Sequence, residues 1–253
     1  MKDMGRGGAK TEVAHWDEGW DTAPSARFWS PFDPFSADLH RLLRRYVKPG
    51  SAFLELGFAP GRVLAWAAVK RGARVSGVDY SSRGVAAARD LFRRLGIEGD
   101  LRVEDVFSTS FAPASFDCVF SAGLIEHFDD PRPIVAKHVE LARPGGAVVI
   151  LVPNYGGRVG RLQNRLDPEN IAIHNLAIMR PAALAGLFDP AEVASVRGFK
   201  YGRLSLASLS LNRAMPAGLA TLLQRGAGLA ATLVPVRIPP SASCIAAVAI
   251  KKG

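Results

Sequence analysis

A chain of 253 residues, 48% hydrophobic and 22% charged, is long enough to bury one substantial core and too apolar for a disordered polymer. No stretch reaches the roughly 20 uninterrupted apolar residues of a membrane span, and Met1–Lys10 lacks the apolar centre of a signal peptide, so a cytoplasmic globular protein is expected. The net charge is +9, but the arginines are spread over Arg41, Arg44 and Arg45, over Arg93 and Arg94, and over Arg158, Arg161 and Arg165, which suits solvated helix faces better than an RNA or anionic-lipid surface or the steering of an acidic substrate.

Residues 1–50 read as an N-terminal cap and lead-in helix. Trp16, Trp20 and Trp29 stand among prolines and charges without a helical period and could cover a site or clasp the sheet edge. Ser36–Tyr46 then places apolar residues at i, i+3 and i+4. From 51 to 153 strands and helices alternate at βαβ spacing. A strand at Phe53–Leu56 is followed by a helix at Val63–Lys70, a strand ending at Asp79, and a serine-capped helix Ser82–Leu95 stopped by Gly96. Further strands start at Asp100, at Phe116 and, after the turn Leu141–Gly146, at Ala147. This alternation predicts a parallel sheet with helices on both faces.

Residues 154–180 mix glycine with a basic helical patch, where such a fold hangs a lid beyond the carboxyl ends of its strands. Residues 181–253 read as a C-terminal half of the sheet, with a helix at Pro181–Phe188, a strand at Glu192–Tyr201 and a last strand at Ser243–Ile250. Between them, Met215–Val234 carries Arg225 as its only charge. That is too little for a membrane-surface helix, so packing on the sheet or a dimer seam is expected. Cys118 and Cys244, each in an apolar strand, read as buried free thiols of a reducing compartment.

The chemistry concentrates after the first strand. Glu55-x-Gly57-x-Ala59-x-Gly61 follows an apolar run, and a second acid, Asp79, ends the next strand 22 residues after Gly57. Glycines let a backbone approach a ligand, and an acid there can accept from ribose hydroxyls. The dinucleotide pattern G-x-G-x-x-G would need glycine at 57, 59 and 62, but Ala59 and Arg62 stand there, and an arginine cannot give the close helix–strand packing of the third glycine.

With Asp105 after the third strand, Ser121–His127 after the fourth and Pro144-Gly-Gly146 before the fifth, the order of motifs resembles the class I S-adenosylmethionine-dependent methyltransferases, in their small-molecule and ubiquinone-type branch. The resemblance implies an α/β fold: a seven-stranded, mostly parallel sheet with helices on both faces and an antiparallel last strand. It implies S-adenosylmethionine as cofactor, held by Glu55, Gly57, Phe58, Ala59, Gly61, Asp79, Tyr80, Asp105, Val106, Ser121 and Ala122. Asp105 is favoured over Glu104 for the adenine amino group by strand alternation.

Glu126-His127 matches part of a Glu-x-x-Glu-His arrangement that binds a divalent ion in some members, but Gly123 occupies the first position, so no metal is expected. His127 is then a candidate general base for a hydroxyl or amine, and Trp29, Tyr155 and His174 are candidate substrate residues. The expected partner is a small-molecule acceptor, with a homodimer possible and nucleic acid not expected. Alternatives are an RNA methyltransferase, whose Asn/Asp-Pro-Pro-aromatic signature is replaced by Ser121–Leu124, and a non-catalytic cofactor-binding partner protein.

Overall fold

In strand β1 (Ala52–Leu56) alternate side chains enter two different cores. Phe53 joins Leu64, Trp66, Phe92 and Phe120 on one face, while Leu54 and Leu56 join Val78, Val119, Ile125 and Ile134 on the other. A sheet buried on both faces is what near-continuous apolar strands require. The computed structural model describes residues 8–12, 14–17, 34–203, 206, 209–233 and 242–253; Trp20 and Trp29 lie outside the described residues.

The elements follow the chain as α1 (Pro34–Leu43), β1, α2 (Arg62–Arg71), β2 (Arg74–Asp79), α3 (Ser82–Leu95), β3 (Asp100–Val103), β4 (Phe116–Ala122), α4 (Arg132–Leu141) and β5 (Ala142–Pro153). Then come α5 (Arg158–Leu166), α6 (Pro168–Ala172), α7 (Pro181–Ala185), β6 (Val193–Tyr201), α8 (Ala217–Leu233) and β7 (Cys244–Lys251). The seven strands lie in the order β3-β2-β1-β4-β5-β7-β6. β7 is antiparallel to both its neighbours, and the β1–β2, β1–β4, β2–β3 and β4–β5 pairs are parallel. The chain runs outward from β1 to β3 and returns across β1 to β4. This leaves a crevice between the carboxyl ends of β1 and β4, where such sheets bind ligands.

Local chemistry sets the boundaries. Ser81 caps α3, its Oγ accepting from the Gly84 N–H at 3.0 Å, and Gly96 ends the helix in the left-handed region at φ 62°. β5 starts at Ala142, earlier than its apolar run, because Ala142 pairs with Phe116 before the register shifts to Cys118–Ala147. Helix α8 is a second departure: its main contacts are with α1 and the turn Leu211–Arg213, not with the sheet. Cys118 and Cys244 are buried free thiols. Among the described residues no helix is long and apolar enough to cross a membrane.

Candidate active site

A cleft of about 330 Å³ opens at the crevice between β1 and β4. Gly57 bends the chain out of β1 at φ 69°, its N–H donating to Val78 O at 2.9 Å. A methyl group there would sit 3.1 Å from Leu124 Cδ1, so only a glycine lets this turn lie so close to the loop after β4. Ala59, in place of a glycine, keeps out of the left-handed region and donates its N–H to Asp79 Oδ2 at 3.0 Å. Asp79 Oδ1 accepts from the Ser81 N–H at 2.9 Å. Burial raises the Asp79 pKa, those two donors lower it, and nearby Asp17 raises it again. Each oxygen keeps acceptor capacity for a ligand.

Gly57, Ala59, Asp79 and Tyr80 line the cleft on one side, and Asp105, Val106, Ala122 and His127 line it further round. Asp105 Oδ1 accepts from the Phe107 N–H at 2.9 Å. Glu104 points elsewhere, accepting from Thr109 Oγ1 at 2.8 Å and from the Ser110 N–H at 2.9 Å. Of the two neighbouring acids beyond β3, Asp105 is the one that lines the cleft.

Four expected cofactor residues stand behind the wall. Glu55 is buried beneath the glycine loop with Oε2 unpartnered; burial, then Asp79, hold its pKa well above the usual carboxylate range, against the lowering pull of the Leu64 N–H. Phe58 lies in the core against Gly77. Gly61 starts α2 at φ 82°, where a methyl group would meet Ala88 Cβ at 2.9 Å. Ser121 is fully buried, its hydroxyl donating to His138 Nε2 at 2.8 Å. That carbonyl-anchored histidine (Nδ1 to Ile134 O, 2.7 Å) has no signal in the motifs.

The N-terminal segment covers the mouth. Ala9 bridges to Phe128, Lys10 donates its N–H to His127 O at 2.7 Å, and Asp129 donates to Gly8 O at 2.9 Å. Ser81 Oγ donates to Asp17 Oδ1 at 2.6 Å. These contacts lay Thr11 and Trp16 on the cleft wall, the indole edge-on to His127 with ring centroids 5.0 Å apart. Trp16 is thus a covering residue.

His127 Nδ1 lies 3.1 Å from Ile173 O. A carbonyl can only accept, so Nδ1 carries the proton and Nε2 offers a lone pair. Burial, then His174, pushes the His127 pKa down to about 4, so the ring is neutral at pH 7. His174 repeats the pattern, Nδ1 2.6 Å from Asn170 O, with its pKa lowered by burial. Its ring is 4.8 Å from that of His127, and Tyr155 meets it edge-on at 5.2 Å. Tyr155 and His174 therefore stand beside His127, not on the cleft wall itself, and burial pushes the Tyr155 hydroxyl up to about 12.

Glu126 completes this group. It is 1% exposed, neither carboxyl oxygen has a hydrogen-bond partner, and burial pushes its pKa up to about 8. Ligand atoms of Glu126, His127 and His174 lie within 4.8 Å of one another. Two imidazoles anchored through Nδ1 and one carboxylate form a donor set that a cation can use. Gly123 removes one ligand from the sequence pattern, and His174 supplies another from far along the chain, which no local spacing reveals.

Comparison with known proteins bears on the same region. Residues 54–150 match the family described as methyltransferase domain. Over that span the chain is similar to a methyltransferase domain. It is 29% identical over 165 residues to phosphoethanolamine N-methyltransferase 2 of Caenorhabditis elegans, covering 63% of this chain and 35% of the relative. It is 32% identical over 130 residues to a ubiquinone biosynthesis O-methyltransferase of Thiobacillus denitrificans, covering 48% of this chain and 56% of the relative. The chain thus spans between about a third and just over half of the curated relatives it matches. Among solved structures, Haemonchus contortus phosphoethanolamine N-methyltransferase 2 superposes with a TM-score of 0.63 at 18% identity, over 96% of this chain and 58% of that one. The shared fold is the class I methyltransferase fold.

Proposed function

We propose that this chain is an S-adenosylmethionine-dependent methyltransferase acting on an oxygen or nitrogen of a small molecule. One juxtaposition supports the reading: Asp79 at the end of β2, Asp105 after β3 and His127 after β4 face a single cleft. Two carboxylates on one wall suit ribose hydroxyls and an exocyclic amine, and Tyr80, Val106 and Phe107 offer a flat apolar surface for a purine between them. The H. contortus neighbour was solved with S-adenosylhomocysteine, in keeping with this fit.

When bound, S-adenosylmethionine supplies a methyl group already activated on a sulfonium, so placement does most of the remaining work. His127 Nε2 is the acceptor for the nucleophile's proton. Its hydrogen bond turns an oxygen or nitrogen lone pair of the acceptor toward the cofactor side of the cleft. Trp16 and the segment around it exclude water, and the rings of Trp16, His127 and Phe128 on the cleft wall favour a flat or apolar acceptor.

Calorimetric titration of S-adenosylhomocysteine, with NAD as control, tests the reading. Wild type and His127→Ala should bind at micromolar Kd, about −8 kcal/mol, whereas Asp79→Ala and Asp105→Ala should weaken binding at least tenfold. With an acceptor found by screening, His127→Ala should lower kcat roughly 10²- to 10⁴-fold. Tighter binding of NAD, or no binding of S-adenosylhomocysteine, would refute the reading.

A further inference from the structure

Helix α8 packs the wrong way round for a helix of a water-soluble domain. Ala220 is 3% exposed, Gln224 donates to Leu206 O and Leu209 O, and Gly228 is buried, so its small and polar residues face the protein. Its leucines face out: Leu219 is 47% exposed, Leu222 67%, Leu223 45% and Leu229 41%. At about 100° per residue these four fall within roughly 120° of arc, opposite the packed stripe. An exposed leucine is ordinary when it stands alone, but four on one helical face mark a surface that something covers.

The surroundings identify what. Helix α8 contains no acidic residue, and Arg225 flanks the leucine arc. Val159 and Leu166 of α5 pack against the small core of Leu209, Leu211 and Ala220 to which α8 contributes, so the two helices border one cluster. Helix α5 also exposes a leucine, Leu162 at 44%, between the exposed Arg161 and Arg165. The nearby acids Asp167 and Glu169 are engaged by Arg213 at 3.7 and 3.9 Å. Leucines interleaved with arginines that meet no acid among the described residues complement a surface that is apolar within and anionic at its rim. The positive charge that the α8 sequence lacks is supplied by its neighbour.

We infer that α5 and α8 form a docking face for a lipid bilayer with anionic headgroups, the leucines entering the acyl boundary and Arg161, Arg165 and Arg225 meeting phosphates. A second copy of the chain fits less well. A two-fold contact would bring these arginines toward their own copies, where like charges oppose association. The inference is independent of methyl transfer, although α5 leads through α6 to His174 and so connects the face to the cleft.

The test is flotation of the full chain with vesicles of phosphatidylcholine alone and with 30% phosphatidylglycerol (about a third anionic lipid, enough to set a strong surface potential). The protein should float with the anionic vesicles, and at least tenfold less in high salt, with neutral vesicles, or as Leu219→Gln/Leu222→Gln. Arg161→Gln/Arg165→Gln should reduce flotation in the same way, while circular dichroism and S-adenosylhomocysteine affinity of both variants stay as in wild type. Absence of flotation, flotation unchanged in the leucine variant, or a dimer in sedimentation that this variant dissociates would overturn the inference.

Discussion

Removing the buried Ser121–His138 pair tests both the placement of Ser121 and the electrostatics beneath the cleft. His138 is fully buried, and burial pushes its pKa down to about 4 against an ordinary 6.5. The unfolded chain therefore binds more protons than the native one between those values, so native stability is full above pH 6.5 and is lost as pH falls toward 4. Linkage gives a loss from this one ring on the order of 1 kcal/mol between pH 7.5 and 5.5. In Ser121→Ala/His138→Leu both partners leave together, which keeps the cost at pH 7.5 small, under about 1.5 kcal/mol. Wild type should then lose stability relative to the variant by on the order of 1 kcal/mol on acidification. His127, whose pKa is also pushed down to about 4, contributes its own loss equally to both proteins. Urea unfolding at pH 7.5 and 5.5 measures the difference, with S-adenosylhomocysteine affinity as a second readout. A stability gap that stays constant with pH would refute the buried, neutral His138. Affinity falling tenfold at pH 7.5 would show that the Ser121 hydroxyl reaches the cofactor after all.

Two further outcomes follow from the same geometry. Gly61→Ala should lower stability by about 1–3 kcal/mol, since both the backbone φ and the 2.9 Å approach to Ala88 Cβ oppose it; Gly96→Ala, with a similar φ and open space around it, should cost only about 1 kcal/mol. Thermal melts that rank the two the other way would contradict the packing at Gly61. If His127 acts as a proton acceptor without a metal, dialysis against EDTA should leave turnover and S-adenosylhomocysteine affinity unchanged. Lost turnover restored by a divalent cation would instead place that ion among Glu126, His127 and His174.

The half of the cleft proposed to hold the cofactor was legible because its residues are local to strand ends. Gly57, Asp79 and Asp105 each sit at the carboxyl end of an apolar run, and a parallel sheet brings those ends to one edge whatever the loops do. Side-chain direction was the part that spacing could not supply. Ser121 and Ala122 are neighbours in β4, yet one is tied to His138 and the other lines the cleft. Glu55 and Gly61 belong to the glycine motif because they shape the loop, one through Leu64 and the other through Ala88.

The acceptor half comes from three separated stretches: residues 8–17, the loop after β4, and the segment from Tyr155 to His174. Each is unremarkable alone, and no period or motif links Trp16 to His127 or His174 to Glu126. For helix α8 the expectation was packing on the sheet or a dimer seam, and the sheet packing is not found. Composition cannot say which face of a helix turns inward. The hydrogen bonds from Gln224 and the small residues around Ala220 decide that, and they leave the leucines outside. Charge complementarity likewise belongs to neighbouring elements: α8 alone is nearly neutral, and α8 beside α5 is basic. Function built from elements distant in sequence therefore stays hidden until the fold sets them side by side, whereas function built on strand ends can be read from the chain itself.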